Sequence, residues 1–261
     1  AEAFRKCLND VLVNQGPVLL NYGYVRGYEP LRQTLRESLA AKGIDTSRDE
    51  LLIVNGFRQG LDLVLQVLCS PGDTVACELP TYNGALGAFI ARGLQIAGVP
   101  MDGEGVEPRA LEDVLARRSP KLLYLVPTYQ NPTGCSMSLA RRQQVLALAR
   151  KYGVPVLEDG FSEELRYVGE AYPPLKAMDT AGIVIYVGSF SKILFPGLRV
   201  GWVLAPEKIA YYLYHAKYNA DIHTNVLSQA ALWAFCEQGH MERHLRYARR
   251  TYGQRMRALE A

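Results

Sequence analysis

The amino-acid sequence predicts an α/β fold, with a mainly parallel but mixed seven-stranded sheet sandwiched by helices. Short apolar runs alternate along the chain with longer segments of helical periodicity, an arrangement typical of parallel strands joined by helices. The runs are β-branched or leucine-rich and mostly continuous, as expected for strands buried on both faces. The last two runs are joined by a link too short for a helical crossover, which predicts one antiparallel pair.

Seven apolar runs give the predicted strands, and each is followed by a turn or by a segment of helical pattern. Their predicted bounds are 51–55, 74–79, 95–101, 121–127, 154–159, 183–190 and 198–205. Because parallel strands present their carboxyl ends at the same edge of a sheet, we expect a ligand to bind beyond those ends.

Helix boundaries are marked by proline, glycine and polar turns. Pro30 suits the first turn of a helix, the turn 70–73 ends another, and Gly153 is a suitable C-cap. These signals predict helices at 30–42, 57–69 and 138–152. After Pro206 the pattern is helical, and the predicted helices are 207–218, 225–237 and 239–259.

The composition is that of an ordinary globular protein and argues against several kinds of partner. Of the 261 residues 49% are hydrophobic and 21% charged, and the net charge of +3 comes without a long basic block, so no nucleic-acid partner is expected through this chain. Five scattered cysteines include no C-x-x-C pair, which argues against disulfides or zinc and fits a reducing cytoplasm. We find no signal-peptide pattern, and no apolar run approaches the roughly 20 residues that span a bilayer.

The turns after the first two strands supply a candidate anion site and a candidate aromatic contact. Gly56 opens a helix directly after the first strand, so the backbone N–H groups of that helix start are free to bind an anion such as phosphate. Tyr82 follows the second strand, where its ring is placed to stack on a flat ligand. A plain turn at Gly56 and core packing of Tyr82 are the alternatives.

Polar residues follow the fourth and fifth strands. Asn131 begins the run Asn-Pro-Thr-Gly, which is either a tight turn or the source of an amide that donates to a ligand oxygen. Glu158 and Asp159 end the fifth strand, where a carboxylate is costly unless it is paired. Strand alternation puts the two side chains on opposite faces, so only one can serve a given site, and a structural salt bridge is the alternative role.

Lys192 is the strongest candidate for a catalytic residue. It follows the apolar sixth strand and precedes a Pro-Gly turn and the last strand, so we expect it to be shielded from open solvent. Arg199 opens the last strand and brings a second cation near it. Both conditions favour the neutral amine that Schiff-base chemistry requires.

Several motifs together resemble one enzyme family. The run 188–201, Gly-Ser-Phe-Ser-Lys-Ile-Leu-Phe-Pro-Gly-Leu-Arg-Val-Gly, resembles the cofactor-lysine motif of fold-type I pyridoxal-phosphate (PLP) aminotransferases of class I/II. The run Asn-Pro-Thr-Gly at 131–134, the pair Glu158 and Asp159, and the run Tyr-Gly-Tyr-Val-Arg-Gly-Tyr-Glu-Pro-Leu-Arg at 22–32 are similar to that family in the same order and spacing. Each motif alone is of moderate specificity, but the ordered set covers nearly the whole chain. The sequence is most similar to 2-aminoadipate/kynurenine-type aminotransferases and to the aminotransferase-like domains of MocR regulators.

The resemblance implies a PLP site and gives each matching residue a role. Lys192 holds the cofactor as a Schiff base and later moves the α-proton, Asp159 keeps the pyridine nitrogen protonated, and Tyr82 stacks on the ring as the third catalytic residue. Asn131 donates to the phenolic oxygen. The implied phosphate ligands are the backbone amides of Phe57 and Arg58, the hydroxyls of Ser189 and Ser191, and the guanidinium of Arg199. Tyr22 reaches the phosphate of a neighbouring subunit, which implies a homodimer with shared active sites.

Two departures from the family pattern bear on these roles. The family's tyrosine, two or three residues past the aspartate, is replaced by Phe161 and Ser162, so the usual phenol is absent and Ser162 is at most a weak substitute. The arginine that binds the substrate α-carboxylate belongs to a small C-terminal domain, which we expect to be largely missing from this chain. The resemblance thus implies an N-terminal segment (1–30), a PLP-binding large domain (31–235) and the start of a helix leading to the small domain (236–261).

Two functions agree with the resemblance. The first is an aminotransferase that moves an amino group between an amino acid and a 2-oxo acid, with ping-pong kinetics. The second is the PLP-binding sensor domain of a MocR (GntR-type) transcription regulator, in which a separate DNA-binding domain precedes this part. The full-length gene product distinguishes them, because a basic N-terminal domain with a helix-turn-helix pattern favours the regulator.

Two further patterns are set aside. Ser189-x-x-Lys192 matches the S-x-x-K of serine β-lactamases, but the S-D-N and K-T-G motifs of those enzymes do not occur in the sequence. His240 and His244 have the spacing of a zinc pair, but H-E-x-x-H is not met, so we expect them to be surface residues.

Overall fold

The computed structural model describes residues 1–260. Its strands are β1 (Asp49–Val54), β2 (Thr74–Leu79), β3 (Gln95–Asp102), β4 (Gly105–Val106), β5 (Leu122–Leu125), β6 (Val156–Asp159), β7 (Val184–Ser189) and β8 (Gly201–Pro206). Its helices are α1 (Glu2–Leu19), α2 (Glu29–Ala40), α3 (Gly56–Leu68), α4 (Asn83–Ala91), α5 (Pro108–Arg118), α6 (Leu139–Tyr152), α7 (Leu175–Met178), α8 (Glu207–Asp221), α9 (Val226–Glu237) and α10 (His240–Glu260). Short 3-10 helices lie at Glu163–Leu165 and Pro196–Leu198.

The eight strands of residues 1–260 form one sheet in the order β1-β8-β7-β6-β5-β2-β3-β4. Strands β2, β3, β5, β6 and β7 pair in parallel, whereas β8 lies antiparallel between β1 and β7. The predicted mixed sheet and antiparallel last pair are therefore confirmed. The predicted number of seven strands is wrong, because the two-residue β4 pairs with the end of β3, and a strand that short leaves no periodic signal in the sequence.

Helices cover both faces of the sheet, as predicted. On one face α3, α4 and α8 pack over a layer that includes Tyr124 of β5. On the other face α1, α2 and α9 cover the β1-β8-β7 end, and α5, α6 and α7 cover the middle of the sheet. Leu123 and Leu125 face the second layer, whereas Tyr124 between them faces the first. All three are fully buried, and burial of a large apolar side chain stabilises a fold by roughly 1.5–3 kcal/mol.

Several elements depart from the predicted pattern, each for a local reason. Four helices, α1, α4, α5 and α7, have no counterpart among the predicted ones. Helix α4, for example, contains Gly84 and Gly87 and buries only Ala85, Ala88 and Phe89. The predicted strand 198–205 begins later, at Gly201, because residues 196–198 form a 3-10 helix. The predicted strand 121–127 is likewise shortened, to Leu122–Leu125. Tertiary contacts decide what the local pattern leaves open.

Within the described residues, no helix is both long and apolar enough to cross a membrane, and no group of His, Cys, Asp and Glu side chains is arranged to hold a metal ion. His240 and His244 were expected at the surface, and both keep part of their surface exposed while the rest is buried. The ring of His240 stacks on Phe235 with centroids 5.2 Å apart, and that of His244 lies 6.4 Å from Phe195. Both histidines thus pack α10 onto neighbouring apolar residues.

Candidate active site

A cavity of about 240 Å³ lies beyond the carboxyl ends of β2, β5, β6 and β7, beside the start of α3. This is the edge of the sheet at which the sequence predicts a ligand. Tyr22 does not line this cavity: it is exposed, with its ring edge-on to His223 at 6.1 Å. The other nine predicted site residues line it, together with Phe161 and Pro196: Phe57, Arg58, Tyr82, Asn131, Asp159, Ser189, Ser191, Lys192 and Arg199.

One part of the cavity is built from the start of α3 and from Arg199. Gly56 begins α3 with a φ of +74°, a conformation that glycine adopts without strain. The absence of a side chain also leaves room for Arg199, since a Cβ at position 56 would lie 2.6 Å from its Nη2. That nitrogen donates to the carbonyl of Asn55 at 3.0 Å, which holds the guanidinium beside the turn that opens α3.

Two serine hydroxyls extend this part of the cavity. Ser189 Oγ lies 3.0 Å from Ser191 Oγ and accepts a hydrogen bond from the N–H of Ser191 at 3.1 Å. Nη1 of Arg199 donates to Ser191 Oγ at 3.2 Å. Hydroxyls, a guanidinium and the N–H groups of a helix start are the groups that bind a phosphate dianion. With the exposed Arg58 nearby, this part of the cavity is suited to an anion.

Lys192 lines the same cavity from the turn that follows β7. Its side chain is exposed, so the expected shielding from solvent is wrong. The reason is geometric: β7 ends at Ser189, and Lys192 lies beyond the buried part of the sheet, where the cavity opens. Arg199 does not open β8 as predicted but precedes it, with a φ of +53°, and reaches the cavity from the turn after the 3-10 helix.

Asp159 is the buried acid of the cavity. It is 3% exposed at the end of β6, and its Oδ2 accepts a hydrogen bond from the Tyr124 hydroxyl at 2.8 Å. Its Oδ1 is buried and has no hydrogen-bond partner among residues 1–260. Burial raises the pKa of Asp159 well above its usual value and the nearby Glu78 adds to this, whereas the hydrogen bond from Tyr124 and the nearby backbone N–H of Phe161 oppose it. A cationic group in the cavity would lower this pKa and supply the missing partner of Oδ1.

The ring of Tyr82 is fixed by its neighbours at the cavity wall. It lies against Gly84, where a Cβ would come within 2.3 Å of the ring carbon Cζ. It is also edge-on to Phe57, with centroids 6.3 Å apart and an interplanar angle of 67°. Arg58 donates from Nη1 to the carbonyl of Gly84 and so ties the start of α3 to α4. These contacts hold the ring in one orientation, as stacking on a flat ligand requires.

Asn131 lines the cavity from a turn that two buried residues hold in place. The side-chain oxygen of Gln130 accepts from the N–H and the hydroxyl of Thr133 at 3.0 and 2.7 Å. The amide nitrogen of Gln130 donates to Glu78 Oε2 at 3.2 Å. The run Asn-Pro-Thr-Gly is thus a turn and a cavity wall at once, and its position depends on Glu78 and Gln130.

Glu78 gives a testable pH dependence of stability. Burial raises its pKa from 4.5 to about 7 in the folded protein, although hydrogen bonds from Val126 and Gln130 oppose this. The folded state therefore keeps a proton that the unfolded chain releases within this window, so the free energy of unfolding falls as the pH rises from 4.5 to about 7. The full effect is on the order of 3 kcal/mol.

The free energy of unfolding can be measured in urea for the cofactor-free proteins at about pH 5 and about pH 8. We expect it to fall less between these two pH values in Glu78→Gln than in the wild type. Glu158 and Asp159 titrate in both proteins, so the difference between the two isolates Glu78. Glu107→Gln, at an exposed position, is the control and should behave as the wild type does. An equal fall in all three proteins would contradict the assignment.

The structure also separates residues that the sequence leaves as alternatives. Phe161 lines the cavity, whereas Ser162 does not. The hydroxyl of Ser162 is buried and has no hydrogen-bond partner among residues 1–260. The carboxylate of Glu158 accepts the backbone N–H groups of Leu175 and Lys176, both at 2.8 Å, and so anchors the start of α7. Asp159 is therefore the member of the acidic pair that serves the cavity.

Three residues that support the site, Glu78, Tyr124 and Gln130, are not among those predicted from the sequence. A signal was present for Glu78, because a carboxylate at the end of an apolar strand is the same feature that marks Asp159. Tyr124 lies within an apolar run, and nothing local indicates that its hydroxyl is bound to an acid.

Comparisons with known proteins bear on the family. Residues 1–261 match the family model described as aminotransferase class I and II. The aromatic-amino-acid aminotransferase 1 of Thermococcus litoralis is 37% identical over 94% of this chain and 60% of its own length. The 2-aminoadipate transaminase of Thermus thermophilus is 40% identical, over 95% of this chain and 62% of its own. The probable rhizopine catabolism regulatory protein MocR of Rhizobium meliloti is 32% identical, over 93% and 49%.

A solved structure shares the fold over almost the whole chain. The multiple substrate aminotransferase of Thermococcus profundus matches with a TM-score of 0.94 and 37% identity, over 99% of this chain and 67% of that one. The chain spans about half to three-fifths of the length of the curated relatives it matches. Motifs, fold and relatives agree: the chain belongs to the class I and II aminotransferase family, the fold-type I family that its lysine motif resembles.

Proposed function

We propose that this chain binds PLP in the cavity. The serine hydroxyls and Arg199 suit the phosphate, the face of Tyr82 suits the ring, and the amine of Lys192 suits the aldehyde. The observation that carries the proposal is the buried Oδ1 of Asp159, which lacks a hydrogen-bond partner among the described residues. Because such an atom is costly, a cationic ring nitrogen that donates to it would stabilise the site.

Each residue then has a defined task. When bound, PLP supplies an aldehyde that reacts with amines and a protonated ring that withdraws electrons from the substrate α-carbon. Lys192 would hold the cofactor through Nζ, and the same Nζ is placed to take the proton from the substrate α-carbon. Asp159 keeps the ring nitrogen protonated through Oδ1, while Tyr124 orients the carboxylate through Oδ2. Asn131 donates to the phenolic oxygen, and Tyr82 restricts the ring from one side.

The phosphate is held by groups from two parts of the chain. Ser189, Ser191 and Arg199 come from the region around β7 and the turn before β8. The backbone N–H groups of Phe57 and Arg58 come from the first turn of α3. Charged donors and a helix start together bind a dianion more strongly than either does alone.

For the whole protein we propose an aminotransferase that moves an amino group between an amino acid and a 2-oxo acid. Membership of the family and the activities named for its relatives support this. We further propose a cytoplasmic homodimer, in which the exposed Tyr22 reaches the phosphate held by the partner. In this proposal residues 31–235 form the cofactor domain, 1–30 precede it, and 236–261 lead to a small domain.

A sensor domain of a MocR-type transcription regulator is the second candidate. Phe161 in the cavity wall favours it, because it leaves the phenolic oxygen without the usual phenol donor. The regulatory relative is matched over 49% of its length, which leaves room in it for a separate domain. In this case the same cavity binds PLP and an amino acid without turnover.

Absorption spectra of the full-length protein distinguish these functions. Addition of PLP should produce a new band as the aldehyde reacts with Lys192. A panel of amino acids that includes aromatic residues and 2-aminoadipate is then added. Loss of the band with release of the matching 2-oxo acid supports the aminotransferase, and a shifted band without oxo acid supports the regulator. If PLP produces no new band, the proposal of PLP binding is wrong.

A further inference from the structure

An ion pair outside the cavity, with a buried lysine and an aspartate whose side chain is 21% exposed, is connected to the anion-binding part of the cavity. Lys217 on α8 is fully buried, and its Nζ lies 2.8 and 3.0 Å from the two carboxylate oxygens of Asp221, one helical turn later. A buried ion pair seldom stabilises a fold more than packed apolar side chains would. Stability alone is therefore a weak reason for a lysine at this position.

Asp221 binds both polar residues that flank the turn at the start of α3. Its Oδ2 accepts from Nδ2 of Asn55 at 2.5 Å and from Nε2 of Gln59 at 2.8 Å. Gln59 Oε1 in turn accepts the backbone N–H of Asn55 at 2.7 Å and Nζ of Lys217 at 3.2 Å. The segment 55–59, which contains the first N–H groups of α3, is therefore held from α8 at both of its ends.

The side chain of Asn55 does not cap the helix that it precedes. Asparagine at the position before a helix ordinarily accepts a hydrogen bond from an N–H of the first turn. Asn55 makes no such bond, and its amide donates to Asp221 instead. The first N–H groups of α3 are thus left free of a side-chain cap at the point where Phe57 and Arg58 line the cavity.

The same residue also carries the connection to Arg199. The carbonyl of Asn55 accepts Nη2 of Arg199 at 3.0 Å, and Nη1 of that guanidinium donates to Ser191 Oγ at 3.2 Å. A continuous series of hydrogen bonds therefore runs from Lys217 and Asp221, through Asn55, to the groups suited to a phosphate.

We propose that Lys217 and Asp221 are positioning residues for the phosphate of the cofactor. They hold Asn55 so that its carbonyl orients Arg199 and its side chain leaves the N–H groups of α3 free. Neither residue lines the cavity, so both act through other groups. The inference rests on the proposed binding of PLP.

The test compares the affinity for PLP with the affinity for pyridoxal, which has the same ring and aldehyde but lacks the phosphate. The ratio of the two affinities isolates the anion-binding part of the cavity from the rest. In Lys217→Met/Asp221→Asn both charges are removed together, so no unpaired buried cation remains. In this double variant we expect the affinity for PLP, divided by that for pyridoxal, to fall at least about tenfold, while the affinity for pyridoxal stays nearly unchanged. A loss of this size corresponds to a weakened hydrogen bond to a charged group.

Asp49 and Lys176 provide a matched control. They form a buried ion pair of 2.8 Å, with side chains 6% and 3% exposed, at the start of β1 and therefore away from the carboxyl ends of the strands. Asp49→Asn/Lys176→Met should lose thermal stability but keep the wild-type affinity ratio. The inference is overturned if folded Lys217→Met/Asp221→Asn keeps the wild-type ratio of the two affinities. It is also overturned if that ratio falls equally in Asp49→Asn/Lys176→Met.

Gln59→Met decides the question if the double variant does not fold. It breaks the link between Asp221 and the N–H of Asn55 but leaves the ion pair intact, and we expect the ratio to fall about threefold. An unchanged ratio in folded Gln59→Met counts against the inference. A wild-type protein that binds neither PLP nor pyridoxal refutes the proposed function instead, so the two failures are distinguishable.

Discussion

Lys192→Ala is expected to abolish covalent attachment of PLP and, with it, transamination. Lys192 supplies the one lysine amine among the residues that line the cavity. Borohydride reduction followed by peptide mapping should therefore label position 192 in the wild type and leave the variant unlabelled. Loss of the proton transfer at the substrate α-carbon alone is expected to slow the reaction on the order of 10²–10⁴-fold.

The cofactor should still bind without a covalent bond in Lys192→Ala, because Ser189, Ser191 and Arg199 remain. The affinity for PLP is therefore expected to fall far less than the activity does. Lys208→Ala, which removes an exposed lysine of α8, is the control and should be labelled at position 192 as the wild type is. A borohydride adduct on a different lysine of the wild-type protein would refute the assignment.

Asp159→Asn should produce the second large effect, a slower reaction with the cofactor still attached. The substitution keeps the shape of the side chain but removes its negative charge. Without an anionic partner, the pKa of the cofactor's ring nitrogen should fall. The electron withdrawal that acidifies the substrate α-carbon weakens accordingly, and we expect the half-reaction with an amino acid to slow on the order of 10²–10³-fold. Stopped-flow absorption measures this rate, and ¹⁵N NMR of labelled cofactor reports the protonation of the ring.

Glu158→Gln is the matched control for Asp159→Asn. The two residues are adjacent in β6, but Glu158 accepts backbone hydrogen bonds from Leu175 and Lys176 and does not line the cavity. Glu158→Gln should therefore lower the midpoint of thermal unfolding and leave the rate of the half-reaction nearly unchanged. Similar rates in Asp159→Asn and the wild type, or an equal slowing in Glu158→Gln, would show that the wrong carboxylate has been assigned to the ring.

Much of the fold and most of the cavity follow from local pattern. Strands buried on both faces leave continuous apolar runs, and the residues that follow those runs must meet at one edge of a parallel sheet. Asn131, Asp159 and Lys192 therefore emerge as neighbours from their positions at the ends of strands, although they are far apart in the chain.

The remaining features depend on which distant residues meet. The hydroxyl of Tyr124 matters because Asp159 lies on the adjacent strand, and Lys217 matters because α8 packs beside the start of α3. Neither contact has a local signature. The exposure of Lys192 likewise depends on where β7 ends, and strand ends are what a continuous apolar run defines least well.

The place of β8 in the sheet has a consequence for synthesis of the protein. This strand lies between β1 and β7 and pairs with β1, which precedes it by about 150 residues. A nascent chain that has not yet released residues 201–206 from the ribosome leaves β1 without that partner, and the turn at Gly56 then has no fixed relation to Arg199. Because pairing across so long a separation is slow, the groups suited to a phosphate are expected to come together only after most of this chain has been translated.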